Sequence, residues 1–149
     1  MDPRSLTSDF REFLQFLNDK GVEYLVIGGH AVAFHGYPRA TTDLDIWVAV
    51  SNTNAERIVK SLQEFGFDTP EISSSLFLQT DQVIRMGVAP NRIEIQTGID
   101  GVQFAHCYPQ RIVADLDGVQ VFFIGLDDLK ANKRASGRNK DLADLDELP

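Results

Sequence analysis

A chain of 149 residues, 43% hydrophobic and 24% charged, has room for one globular domain that buries about 70% of its unfolded surface, and no comfortable room for two. Fourteen Lys and Arg against 22 Asp and Glu give a net charge of −8, which argues against a surface built to wrap long nucleic acid. The single cysteine, Cys107, excludes an internal disulfide and a multi-cysteine metal centre. No stretch is long and apolar enough to span a membrane, and Met1-Asp2-Pro3-Arg4 lacks the apolar core of a secretory signal, so a cytoplasmic protein is expected.

In chain order, Phe10, Phe13, Leu14 and Leu17 recur at helical spacing behind Thr7 or Ser8 as cap, and Lys20-Gly21 ends the helix. Tyr24 to Ile27 reads as a strand, Gly28-Gly29 as a turn, and His30 to Phe34 as a short helix. Leu44 to Val50 reads as a strand, and Ser51 or Asn52 caps a helix with Ile58, Leu62 and Phe65 on its apolar face, closed by Gly66. Gln82 to Met86 and Arg92 to Thr97 read as strands joined by a turn at residues 87–91, and Val119 to Ile124 as a further strand. From Leu126 the pattern is helical, broken at Gly137 and resumed with Leu142, Leu145 and Leu148. The whole reads as an α+β mixed sheet flanked by helices, a single domain over 1–149 with a core at 21–125 and C-terminal helices at 126–148. Lys130, Lys133, Arg134, Arg138 and Lys140 crowd the C-terminal segment; the run alone reads as a solvated helix face balanced by Asp127, Asp128, Asp141, Asp144 and Asp146.

The chemistry concentrates in Ile27-Gly28-Gly29, thirteen residues, then Asp43-Leu44-Asp45-Ile46. Two glycines between strand and helix let the backbone approach a ligand with no Cβ in the way, and the free N–H groups of a helix start suit phosphate oxygens. In Asp43-Leu44-Asp45 the strand period sends both carboxylates to one face and Leu44 and Ile46 to the other. Carboxylates roughly 6 to 7 Å apart along a strand can hold one divalent cation or bridge two, and hard oxygen ligands favour magnesium or manganese. Glu94, in Arg92-Ile93-Glu94-Ile95-Gln96, faces away from Ile93 and Ile95 and joins the two aspartates if its strand lies beside theirs.

These residues resemble the nucleotidyltransferase superfamily typified by DNA polymerase beta, whose motif is a hydrophobic residue, Gly, Gly or Ser, a spacer, then Asp-hydrophobic-Asp or Glu. The longer pattern, Val26 to Ala31 with Arg39 to Ile46, and the run Leu129, Lys133, Ala135, Gly137, Arg138, Lys140, Asp141 and Asp144, is similar to a small bacterial branch of minimal and abortive-infection toxin nucleotidyltransferases. The resemblance implies a polymerase-beta-like fold, two magnesium (or manganese) ions, and transfer of a nucleoside monophosphate from a nucleoside triphosphate to an unidentified acceptor with release of pyrophosphate. By position it implies Asp43, Asp45 and Glu94 as metal ligands, with Glu94 activating the acceptor at a position more often held by Asp. Gly28 and Gly29 would hold the triphosphate, Arg39, Lys133 and Arg138 would neutralise its charge, and Thr41 or Thr42 would donate a hydroxyl. For Lys133 and Arg138, an ion-pair network with Asp141 and Asp144 is an equal expectation.

The acceptor is expected to be a small molecule, a protein or a transfer RNA end, and two short C-terminal helices leave its pocket to a homodimer partner or a helical protein of the toxin–antitoxin kind. Two alternatives remain at this stage: a non-catalytic nucleotide-binding or interaction module, and a sugar-nucleotide enzyme using Asp43 and Asp45 as its Asp-x-Asp. His30 is expected to pack or cap, and Trp47 to lie in the core or half-exposed on its strand.

Overall fold

The computed structural model describes residues 6–149, so Met1-Asp2-Pro3-Arg4 and the absence of a signal there lie outside the described residues. Among those described, no helix is long and apolar enough to cross a membrane. Helix α1 (Ser8–Lys20) is capped by Thr7 rather than Ser8: the Thr7 hydroxyl accepts the Phe10 N–H at 3.2 Å, and Gly21 closes the helix in the left-handed region at φ +72°. It buries Phe10, Phe13, Leu14 and Leu17 and packs along α3 (Asn52–Phe65), which Ser51 caps and which contributes Ala55, Ile58 and Leu62 to the same core. Buried Asn54 fastens the start of α3 to the sheet, accepting the Glu23 N–H at 2.8 Å and donating to the Ala49 and Glu23 carbonyls. Each of its polar atoms is thereby satisfied, which burial demands.

Strands β1 (Tyr24–Ile27), β2 (Asp43–Val48), β3 (Val83–Met86), β4 (Arg92–Gln96), β5 (Ile112–Leu116) and β6 (Val119–Phe123) form one sheet in the order β3-β4-β2-β1-β6-β5. Pairs β2–β4 and β1–β6 are parallel and the others antiparallel, so the expected mixed α+β architecture is present. All four residues of β1 are buried, as befits a central strand covered on both faces. Helices α2 (Gly28–Phe34), α4 (Phe104–Cys107), α5 (Leu126–Ser136) and α6 (Asn139–Glu147) complete the fold, with 3-10 turns at Ser74–Phe77, which drops Phe77 into the core, and at Tyr108–Gln110.

Several elements differ from the sequence reading. Gly28 and Gly29 form the first residues of α2, with Gly28 at φ +66°, so strand passes into helix without an intervening turn. The edge strand β5 was not expected; Ile112 and Val113 are exposed, which erases the alternation that marks a half-buried strand. Trp47 is 1% exposed, fully core, because it packs edge-on against Phe104 of the equally unexpected α4. The C-terminal basic run is no single solvated face, since Lys133 is buried while Arg134, Arg138 and Lys140 are exposed.

Candidate active site

Two registers assemble the site. Antiparallel β1–β2 places Ile27 opposite Asp45, so the chain leaves β1 at Gly28 directly against the Asp45 side chain. A Cβ on Gly28 would stand 2.2 Å from Asp45 Oδ2, and one on Gly29 would stand 2.6 Å from Thr41 Oγ1. Both positions therefore require glycine for close approach, and Gly28 also for its positive φ. Parallel β2–β4 pairs Asp45 with Glu94 and Asp43 with Arg92, which puts all three acids on one face while Leu44, Ile46, Ile93 and Ile95 fill the core behind them.

Asp45 is the most perturbed of the three. Burial, a shared hydrogen bond with Glu94 and the charges of Glu94 and Asp43 push its carboxyl up to about 8, against the opposing charge of Lys140. Glu94 is held below the ordinary range: burial acts to raise it, and is outweighed by hydrogen bonds from Asp45 and Arg85 and by the charges of Arg85 and Arg92. Burial and like charge thus favour the neutral form of Asp45, while Arg85 and Arg92 favour the ionised form of Glu94. Arg85 Nε donates to Glu94 Oε1 at 2.9 Å, and Arg92 Nη1 lies 4.0 Å from Asp43 Oδ2.

Asp45 and Glu94 line a cleft of about 500 Å³, with Gly28 and Gly29 at its base, Arg85, Gln96 and Gly98 on one wall, and Arg39, Lys133, Arg138 and Lys140 on the other. Lys133 and Arg39 are engaged with α6. Lys133 Nζ donates to Asp141 Oδ1 at 2.9 Å and Asp144 Oδ2 at 3.1 Å, and Arg39 Nη2 donates to Asp144 Oδ2 at 3.0 Å. Arg138 Nε and the Ser136 hydroxyl donate to Asp141 Oδ2 at 3.1 and 2.5 Å. Burial acts to raise Asp141, yet these donors hold it down to about 2. The expected ion-pair network is therefore present, and Lys133 and Arg39 face the cleft from within it.

Lys140 was part of the basic run but was not singled out; it faces the cleft, exposed, and its charge reaches Asp45. No periodicity could have separated it from Lys133, because which cation is engaged depends on how α6 returns onto α5. Thr41 Oγ1 and Thr42 Oγ1 donate to Asp43, to its carbonyl and its carboxylate at 3.4 Å each, and lie outside the cleft lining. His30 packs edge-on against Phe10, its ring nitrogens have no hydrogen-bond partner among the described residues, and its pKa is lowered to about 4 by burial and the charge of Arg39, so among those residues it packs and does not cap.

Gly-Gly thus stands against a half-buried aspartate in register with a second acid and facing a bank of cations, and the chain matches over residues 4–148 a family described as nucleotidyltransferase of unknown function (DUF6036). The chain belongs to that family. No curated protein matches it. Among solved structures, a candidate nucleotidyltransferase from Thermotoga maritima is similar at 17% identity and a TM-score of 0.62, over 92% of this chain and 88% of that one. An antigenic nucleotidyltransferase-like protein from Paracoccidioides brasiliensis is similar at 18% identity and a TM-score of 0.53, over 95% and 76% of the two chains. At such identities the likeness is one of fold.

The resemblance read from the sequence implies a divalent cation as cofactor. Among the described residues no three His, Cys, Asp or Glu side chains are gathered into a ready-made metal site. The chemistry of the donors nevertheless fits: Asp43, Asp45 and Glu94 offer only hard carboxylate oxygens on one sheet face, and the charges of Glu94 and Asp43 that help push Asp45 up are ones a cation relieves.

Proposed function

We propose that this nucleotidyltransferase family member binds a nucleoside triphosphate in the cleft and transfers its nucleoside monophosphate to an acceptor, releasing pyrophosphate. The observation that carries the reading is the backbone of Gly28 pressed against Asp45, which is paired in register with Glu94 and faces Lys140 across the cleft. The N–H groups at the start of α2 would receive triphosphate oxygens, Lys140 would offset their charge, and Lys133, Arg39 and Arg138 would support them from the α6 network. Asp43, Asp45 and Glu94 would hold magnesium or manganese, two ions in the full reading, which when bound supply charge neutralisation at the reacting phosphate. An acceptor oxygen attacks the α-phosphorus, the bond to the bridging oxygen of the β-phosphate breaks, and the acceptor proton leaves by way of Glu94. Completion of the acceptor pocket by a second copy or by a helical partner, as in a toxin–antitoxin pair, rests on the family resemblance alone, as do the transfer RNA end and the cytoplasmic setting.

The Arg85 guanidinium on Glu94 favours a second reading, a nucleotide-binding module without turnover, because a carboxylate already bonded to a cation is a weak proton acceptor. Pyrophosphate release from each of the four nucleoside triphosphates with magnesium, using wild type, Asp45→Asn and Glu94→Gln, separates the two. The enzyme reading predicts release that both variants abolish. Nucleotide binding without release in wild type would establish the module.

A further inference from the structure

The cleft has two chemically different walls. Lys133, Arg138 and Lys140 stand on the α5–α6 side, whereas on the β3–β4 side Arg85 lies directly opposite Glu94; Arg92 precedes Glu94 by two residues on the same sheet face, just outside the cleft lining. Two guanidinium groups from adjacent strands thus bracket the acid assigned to prepare the acceptor. Arg85 uses only Nε on Glu94; among the described residues its Nη1 and Nη2 make no hydrogen bond, and its side chain is 60% exposed beside the cleft. Arg92 stands 4.0 Å from Asp43, beyond hydrogen-bond reach, and its Nη groups also make none among the described residues. The half-buried Gln96 side chain, next along the same face, makes no hydrogen bond there either.

The unused donors of Arg85 in the cleft wall, with those of Arg92 beside the cleft on the neighbouring strand, suit a phosphate or carboxylate taken by parallel N–H bonds. Asp81 and Asp100 sit farther along this side and would repel an anion there, which confines it to the strip beside Glu94. We propose that the β3–β4 wall is the acceptor subsite and that it selects an acceptor carrying a phosphate group, held by Arg85 and Arg92, close to the oxygen that attacks. The inference rests on the reading given under Proposed function. The net charge of −8 favours a small phosphomonoester over a phosphate at a nucleic-acid end, and the chemistry recognised is the same for both. In the transfer the acceptor's hydroxyl oxygen bonds to the α-phosphorus, pyrophosphate departs with the bridging oxygen, and the hydroxyl proton passes to Glu94. The phosphate on the acceptor is unchanged. An anion arriving at Arg85 competes with Glu94 for the guanidinium and so frees the carboxylate when an acceptor is seated.

The test is a titration of isotopically labelled protein, saturated with ATP and magnesium at fixed ionic strength, followed by amide and arginine Nε–H resonances. The probes are ribose 5-phosphate, ribose, and a short RNA with or without a 5′-phosphate. Ribose 5-phosphate is expected to move Arg85, Glu94 and Gln96 where ribose does not, and Arg85→Gln/Arg92→Gln is expected to weaken that binding about tenfold or more. Arg134→Gln, which removes an exposed charge outside the cleft, should leave it unchanged. Arg85→Lys should weaken it less than the glutamine variant, since it keeps charge and loses the fork. A response only to the 5′-phosphorylated RNA would keep the anion subsite and assign its source to a nucleic-acid end. Equal responses to ribose and ribose 5-phosphate, or responses confined to α5 and α6, would overturn the proposal. Failure of the underlying reading shows separately, as an absence of movement at the Gly28 and Gly29 amides when ATP and magnesium are first added.

Discussion

Asp45→Asn should make the metal-free protein more stable, and increasingly so as pH rises. Asp45 binds its proton up to about pH 8 in the folded chain but releases it in the ordinary carboxylate range when unfolded. An acid whose pKa is raised by folding costs stability as pH climbs from the unfolded value towards the folded one, at about 1.4 kcal/mol per pH unit. From about pH 5 to about pH 7 the loss sums to roughly 3 kcal/mol. The amide that replaces the carboxyl does not titrate, yet its NH₂ can still donate to Glu94, so that hydrogen bond is retained. The assay is urea unfolding of wild type and variant in a chelating buffer across this range, read as the difference between the two curves. Groups common to both, His30 included, cancel in that difference. The advantage of the variant should grow by roughly 3 kcal/mol, or about 6–12 °C in melting temperature. Parallel pH profiles, or a variant less stable at neutral pH, would refute the burial and charge argument for Asp45.

His30 works in the opposite direction: with its pKa lowered to about 4, the folded chain gains stability as pH rises towards the ordinary histidine range, so His30→Leu should flatten that gain and stabilise the protein at about pH 5 by roughly 1 kcal/mol in the same unfolding assay. Gly28→Ala meets both an unfavourable φ and the Asp45 carboxylate at 2.2 Å; a loss of about 1–3 kcal/mol is expected by thermal unfolding, with nucleotide binding weakened in a calorimetric titration. Asp144→Ala leaves half-buried Arg39 without its carboxylate and buried Lys133 with Asp141 alone, and should cost about 2 kcal/mol by urea unfolding, whereas Arg138→Ala, at a side chain 77% exposed, should cost about 0.5 kcal/mol or less.

Local chemistry was legible wherever a single segment encodes it. The helix of Phe10 to Leu17, its glycine stop, the strand at Tyr24, the paired aspartates and the outward Glu94 all follow from periodicity and capping. What could not be read is set by contacts between distant segments. That Glu94 meets Asp45 depends on the parallel pairing of β2 with β4, and a sequence offers that only as a condition. The engagement of Lys133 by Asp141 and Asp144, and the freedom of Lys140 to face Asp45, depend on how α6 folds back on α5. Arg85 on Glu94 depends on the β3–β4 register in the same way. Strand β5 escaped because Ile112 and Val113 are both exposed at the sheet edge, and α4 because four residues are too short to show a helical period.

The most direct test of a nucleotide-binding acid site is a thermal-shift titration of the protein with ATP, GTP, CTP and UTP, each with and without magnesium, beside Asp43→Asn/Asp45→Asn. A ligand that binds the folded state at a hundredfold excess over its Kd adds about 2.7 kcal/mol of apparent stability. The account predicts a shift of several degrees for at least one nucleotide, dependent on magnesium and lost in the double variant. An equal shift in wild type and variant, or none at millimolar nucleotide with magnesium, would contradict it.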